Sequence, residues 1–255
     1  MSEDTYLNEG SMTSRRKFLA GSAAALAGGA LMAVPGVAKA HSTPEPPTDI
    51  DMLNYALTLE HLEATFYTKG LKKFDERAFE LFFARNRNYQ KRGISYLDGT
   101  EVRREFVLIR EHEQTHVATL KKVIRSLGGT PVPACTYNFG KTAFTSVGKF
   151  VSVARFLENT GVKAYDGAIA HIEAAILLRA GATIATVEAR HASYLNLING
   201  AIPFPRAFDK PVAPQAICEA VQAENGGFIV RCPDQYGPYN SLDALCKRLP
   251  KTTVP

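Results

Sequence analysis

Two tetrapeptides, Glu113-Gln114-Thr115-His116 and Glu188-Ala189-Arg190-His191, place a carboxylate and an imidazole three residues apart. On a helix that spacing puts both side chains on one face, one turn apart. A pair so placed can hold one metal ion. Each pair sits in an apolar stripe of helical period: Phe106, Ile109, Leu120 and Val123 around the first, Ile184, Leu195 and Ile198 around the second. Two further stripes carry a single carboxylate each, Glu60 amid Leu53, Leu57 and Ala64, and Glu158 amid Phe150, Ala154 and Gly161. Four carboxylates crowded at low dielectric repel one another and are driven to take up protons. Two divalent cations would cancel that charge. Glutamates facing solvent would not share a face with Leu, Phe and Ile in all four stripes. The expected ligand set is therefore Glu60, Glu113, His116, Glu158, Glu188 and His191; on the general pattern of such sites, Glu113 and Glu188 would bridge two ions, Glu60 and Glu158 would each hold one terminally, and His116 and His191 would supply one nitrogen each. Oxygen-rich ligation with one nitrogen per ion suits iron or manganese better than zinc or calcium.

The two halves repeat one design. Glu60 is followed seven residues later by Tyr67, and Glu158 seven residues later by Tyr165. Both tyrosines share the face of their glutamate, where they either hydrogen-bond a ligand carboxylate or serve as ordinary core residues. The same repeat separates Glu60 from Glu63. The position matching Glu63 is Gly161, so Glu63 is expected outside the ligand set, behind it or at the surface. His61 and His112 neighbour the stripes without lying on them. His41 and His171 fall at element boundaries. All four are expected at boundary or surface positions.

Four helices must position these groups. The periodicity predicts a first helix opening at Asp49 or Asp51 and ending at Gly70, and a second from about Thr100 to Leu127, closed by Gly128-Gly129. A third spans about Ser146 to Ala170 and a fourth about Glu173 to Asn199, capped by Gly200. Residues 71–98 read as a mixed connection with a short apolar patch at Phe79, Leu81, Phe82 and Phe83. The basic stretch Arg85-Asn86-Arg87-Asn88-Tyr89-Gln90-Lys91-Arg92 reads as a solvated loop. Residues 130–145 form a long crossover. The fold class is all-α: a four-helix bundle over 49–200, two hairpins joined by the crossover, followed by an irregular Cys/Pro-rich tail over 201–255.

The first forty residues read as an address. Ser14-Arg15-Arg16-Lys17-Phe18-Leu19 is a twin-arginine motif, followed by an Ala/Gly-rich apolar stretch and the small-x-small site Ala38-Lys39-Ala40. This order predicts export of a folded protein by the twin-arginine translocation machinery, to the periplasm or beyond, with no stable membrane anchor after cleavage. Residues 41–48 form a Pro-rich linker. In an oxidising compartment the four cysteines, Cys135, Cys218, Cys232 and Cys246, are expected to form two disulfides, with three pairings open. At least one bond should tether the tail, which holds three of them. A formal net charge of +5 without a long Lys/Arg run argues against a nucleic-acid partner.

The sequence resembles the ferritin-like superfamily, and within it the exported desiccation-related ferritin-like proteins of bacteria and plants. The resemblance rests on Leu53-Asn54-Tyr55-Ala56-Leu57, on Leu59-Glu60-His61-Leu62-Glu63-Ala64-Thr65-Phe66-Tyr67, on Leu157-Glu158-Asn159-Thr160-Gly161-Val162, and most specifically on Val187-Glu188-Ala189-Arg190-His191-Ala192. Pro133-Ala134-Cys135-Thr136-Tyr137 and Pro203-Phe204-Pro205 extend it. It covers about residues 49–212 and implies metal-binding roles for the six residues named above. The superfamily hosts oxidases, iron-storage cages and manganese catalases, so the fold does not settle the reaction. Three functions compete. One is a peroxide-consuming or metal-oxidising oxidoreductase acting on peroxide or dioxygen in stress protection. Another is a non-catalytic desiccation or stress protein braced by its metals. The third is iron sequestration, which would require a homo-oligomeric cage.

Overall fold

The computed structural model describes residues 47–85 and 98–253. The twin-arginine leader, His41 and most of the basic stretch from Arg85 to Arg92 lie outside the described residues.

Helix α1 (Asp49–Lys73) opens on a capping box. The Thr48 hydroxyl accepts the Asp51 amide at 3.3 Å, and the Asp51 carboxylate accepts the Thr48 amide at 2.8 Å. Thr48, rather than Asp49 or Asp51, is thus the N-cap. Gly70 does not end the helix. It lies inside it, where a Cβ would fall 2.1 Å from the Phe150 ring, so the glycine admits that aromatic and α1 runs on to Lys73. A short helix α2 (Glu76–Arg85) follows, built on the Phe79–Phe83 patch. Helix α3 (Gly99–Ser126) is capped by Asp98, which accepts the Thr100 amide at 2.9 Å, and it stops at Gly128 with φ 78°.

The crossover holds strand β1 (Thr136–Tyr137) and a single turn α4 (Gly140–Ala143). Ser146 then caps α5 (Val147–Ile169). Helix α6 (Ala175–Ile198) starts two residues later than its pattern suggested and has no side-chain cap of its own. Asp49 of α1 supplies one, accepting the amides of Glu173 and Ala174 at 2.8 and 3.1 Å. The tail contains α7 (Pro214–Ala220), a 3₁₀ turn (Ala223–Asn225), β2 (Ile229–Arg231) and α8 (Leu242–Arg248).

Helices α1 and α3 pair as one hairpin, α5 and α6 as the other, and α1 faces α5 between them. The wiring is that of a ferritin-like four-helix bundle with a long middle connection. One end is filled by aromatics: Phe66, Phe79, Phe106 and Phe150 are fully buried and meet ring to ring. The other end is covered by the tail. There three buried polar side chains of α1, Asn54, Thr58 and Asp51, find partners in the crossover and the tail. Asn54 holds the crossover, donating to the Thr130 carbonyl and accepting the Val132 amide at 2.9 Å. Thr58 bonds the Tyr236 hydroxyl at 2.9 Å. Asp51 accepts from Tyr239 at 2.7 Å and from Nε and Nη2 of Arg248 at 3.0 Å each.

The tail is also stitched to the crossover. Strands β1 and β2 pair antiparallel across a bulge, and Cys135 bonds Cys232 beside them. Cys218–Cys246 closes α7 onto α8. All four cysteines are therefore paired, and one of the two bonds tethers the tail. Two disulfides fit an oxidising, exported environment. Among the described residues no helix is long and apolar enough to cross a membrane.

Candidate metal centre

Each bundle helix delivers its acidic residue from mid-length to a common level inside the bundle. Glu60, Glu113, Glu158 and Glu188 are completely buried, and His116 and His191 nearly so. The structure brings all six expected ligands together in two overlapping sets. Glu60, Glu113, His116 and Glu188 place ligand atoms within 4.8 Å of one another, as do Glu113, Glu158, Glu188 and His191. Glu113 and Glu188, from the second helix of each hairpin, belong to both sets. Glu60 and Glu158, from the first helices, belong to one each.

Both imidazoles turn Nδ1 inward. His116 Nδ1 lies 3.2 Å from oxygens of Glu60, Glu113 and Glu188. His191 Nδ1 lies 3.1 Å from Glu113 and 3.2 Å from Glu158. Yet Glu113 Oε1 and both oxygens of Glu188 accept no hydrogen bond, although two of these atoms are among the near neighbours just named. The oxygens converge on shared points rather than along N–H directions. Orphaned buried carboxylate oxygens are costly, and cations at those points would satisfy them. The donor set therefore fits the metal pair its chemistry suggests.

Charge tells the same story. Burial, then the charges of neighbouring carboxylates, push Glu113 and Glu188 far above the ordinary carboxylate range. For Glu60, burial is the largest influence and acts in the same direction, but the hydrogen bond and charge of His116 together with the bonds from Glu113 and Tyr165 outweigh it, so its carboxyl is held low. Burial would depress His116. The carboxylates of Glu188 and Glu60 prevail and raise it to about 10. A protonated His116 supplies only part of the positive charge that four buried carboxylates require.

The two tyrosines bond carboxylates of this cluster, and they do so crosswise. Tyr67 donates to Glu158 Oε1 at 2.5 Å, and Tyr165 donates to Glu60 Oε1. Each terminal glutamate is thus oriented by the hairpin to which it does not belong.

Glu63 is not at the surface: it is 4% exposed. A Cβ on Gly161 would lie 3.5 Å from Glu63 Oε1 and 3.3 Å from Glu188 Oε2, so the glycine leaves the room that the Glu63 carboxylate uses. Burial, then the charges of Glu158 and Glu60, push its pKa well up. His61 is also buried, against expectation, and its Nε2 has no partner. His171 sits half-buried at the start of the α5–α6 connection. His112 is exposed as expected, but its ring reaches across to His191, with Nδ1 2.9 Å from His191 Nε2. Sequence spacing could not show this, because the contact runs between helices.

Comparison with known proteins agrees with this geometry. The chain is 29% identical over 189 residues to Protein rds1 of Schizosaccharomyces pombe, an alignment that covers 72% of this chain and 40% of that protein. The chain thus spans about two fifths of the length of this relative. Residues 48–201, more than half of the chain and the whole of the four-helix bundle, match the model of the ferritin-like domain. With fold, wiring and buried Glu/His clusters all in agreement, the chain belongs to the ferritin-like domain family.

Proposed function

We propose that this protein is an exported dimetal carboxylate protein that holds two iron or manganese ions and acts on peroxide or dioxygen, protecting its cell under oxidative or drying stress. The observation that carries the reading is the pair of four-residue donor sets sharing Glu113 and Glu188, with orphaned oxygens at the shared points. Iron or manganese held in such a pair supplies two-electron redox chemistry toward peroxide or dioxygen.

The chain's own residues supply the rest. Glu60 with His116 and Glu158 with His191 each complete one end of the site. Glu113 and Glu188 serve both ends and hold the two together. Tyr165 and Tyr67 fix the rotamers of Glu60 and Glu158, so each terminal ligand keeps one oxygen bound by hydrogen bond and the other turned to its histidine. Phe66, Phe106 and Phe150 pack on Tyr67 and close that end of the bundle to bulk water. Glu63 sits beside Glu188 and the terminal glutamates, where burial and their charges favour its protonated carboxyl.

The test is metal analysis of protein purified from the exported fraction, with peroxide turnover measured on the same sample. About two iron or manganese ions per chain with peroxide consumption support the proposal. Two ions without turnover leave the metals as a brace of the fold and overturn the enzymatic part. A native preparation that carries no ion and resists reconstitution overturns the whole.

A further inference from the structure

The two imidazoles of the centre are not equivalent. His191 has a protein partner behind it: its Nε2 lies 2.9 Å from Nδ1 of His112. The ring planes differ by only 10° and the centroids are 5.2 Å apart, a separation that matches the N···N distance plus the two ring radii. The rings therefore meet edge to edge in one plane, as a hydrogen bond requires, and not face to face. His116 has no such partner among the described residues; its contacts are all made through Nδ1. The internal repeat breaks at the same point. His112 immediately precedes Glu113, whereas Val187 immediately precedes Glu188.

We propose that His112 is a positioning residue for His191, and that it makes one of the two metal positions tighter than the other. The inference rests on the dimetal reading above. Nδ1 of His191 faces Glu158 and Glu113, so Nδ1 is the nitrogen offered to an ion. A neutral imidazole has one ring proton, and with Nδ1 committed that proton must sit on Nε2. The acceptor waiting there is Nδ1 of His112, which then carries its own proton on Nε2. The hydrogen bond fixes the tautomer and ring plane of His191 and makes its Nδ1 a stronger donor. His116 receives no such help, so the ion it holds with Glu60 should be the more readily lost. Because His112 is exposed and lies outside the packed core, its replacement should leave the helices intact.

The experiment is a manganese(II) titration of metal-free full-length protein, following free ion by electron paramagnetic resonance. Wild type is compared with His112→Ala, His112→Asn, His191→Ala and the His112→Ala/His191→Ala double variant, and helicity is checked by circular dichroism. The amide oxygen of Asn stands near the place of imidazole Nδ1 and keeps the acceptor. His112→Ala should weaken one of two ions by about tenfold or more, and His112→Asn should stay within about threefold of wild type. The double variant should be no worse than His191→Ala alone, because both changes act on one bond. Equal loss in Ala and Asn variants, or additive loss in the double variant, overturns the positioning role. Two ions bound by wild type and by His112→Ala with the same affinities overturn this inference alone. A wild-type protein that takes up no ion overturns the metal reading beneath it.

Discussion

Tyr67 of the first hairpin donates its hydroxyl to Glu158 of the second at 2.5 Å, and the reverse bond from Tyr165 to Glu60 completes a crossed pair. The crossing makes each hairpin the orienting partner of the other's terminal ligand. Neither half of the centre is then complete in an isolated hairpin. Tyr67→Phe leaves the shape of the core almost unchanged but strips Glu158 of its donor. The freed carboxylate should bind its ion about tenfold more weakly or worse. Tyr165→Phe should do the same through Glu60. Equilibrium dialysis with manganese(II) reads the effect. Unchanged binding in both variants would mark the tyrosines as packing residues only.

Asp51 carries a separate, pH-dependent link between the tail and α1. Burial alone would raise its pKa, but Arg248, Thr48 and Tyr239 together bring it below the usual value. A folded pKa below the unfolded one stabilises the protein above the unfolded value, about 3.9, and that stabilisation is lost as pH falls through the folded value. Docking of α8 should therefore weaken in acid, read as faster limited proteolysis of the tail below about pH 4. Asp51→Asn should lose about 1–2 kcal/mol at neutral pH, because the charge-assisted bonds from Arg248 and Tyr239 to the carboxylate are weakened. It should also flatten the acid dependence. A variant with the wild-type acid profile would show that another group controls docking.

The disulfides should differ in their effect. Cys135–Cys232 spans 97 residues and Cys218–Cys246 spans 28. On chain entropy alone they stabilise by about 4.7 and about 3.6 kcal/mol. Cys135→Ser/Cys232→Ser also unfastens the β1–β2 pairing from its staple. That double variant should melt lower than Cys218→Ser/Cys246→Ser, as measured by calorimetry. The denatured, unreduced wild type should show essentially no titratable thiol. Four thiols would mean that the bonds do not form in the cell.

The export signal read from the sequence lies outside the described residues. The twin-arginine motif predicts that Arg15→Lys/Arg16→Lys leaves precursor in the cytoplasm, visible by fractionation and immunoblot. Normal export of that variant would assign the leader to a route for unfolded chains.

The four bundle helices are legible because each carries a long stripe of one period, and the buried Glu/His cluster is legible because carboxylates interrupt those stripes. What escaped had other causes. Helix α2 is short, and its pattern is cut by the basic stretch. It is held by Phe79 packing on Phe106 and Phe150, a contact no local window contains. Gly70 reads as a terminator by propensity, but it serves here to admit Phe150. Thr48 is hidden as a cap by the two aspartates that follow it, one of which caps α6 instead. His112 lies one residue off the stripe, and its partner comes from α6. The pairing Cys135–Cys232 and Cys218–Cys246 depends on how the tail folds back, which spacing leaves open.

The last prediction concerns which glutamate of α1 a metal needs. Glu60 and Glu63 are one turn apart and both buried, so burial does not choose between them. Three observations choose Glu60. It lies within 4.8 Å of Glu113, His116 and Glu188 as one donor set, it receives the Tyr165 hydroxyl, and its counterpart in the second hairpin, Glu158, is placed in the same way. Glu63 has Gly161 as its counterpart and fills the room that glycine leaves. Glu60→Ala should lower metal content and any peroxide activity together, by about tenfold or more. Glu63→Ala should keep most of the metal. It should even stabilise the metal-free protein, because one buried carboxylate fewer crowds Glu60 and Glu158. Gly161→Ala puts a methyl carbon 3.3 Å from Glu188 Oε2, tight enough to shift that carboxylate, while its 3.5 Å approach to Glu63 Oε1 is an ordinary contact. Its metal loss should therefore exceed that of Glu63→Ala, since Glu188 belongs to both donor sets. Metal stoichiometry of the three variants decides the matter. If Glu63→Ala empties the site while Glu60→Ala retains both ions, the ligand on α1 lies one turn further along and the repeat between the hairpins is only approximate.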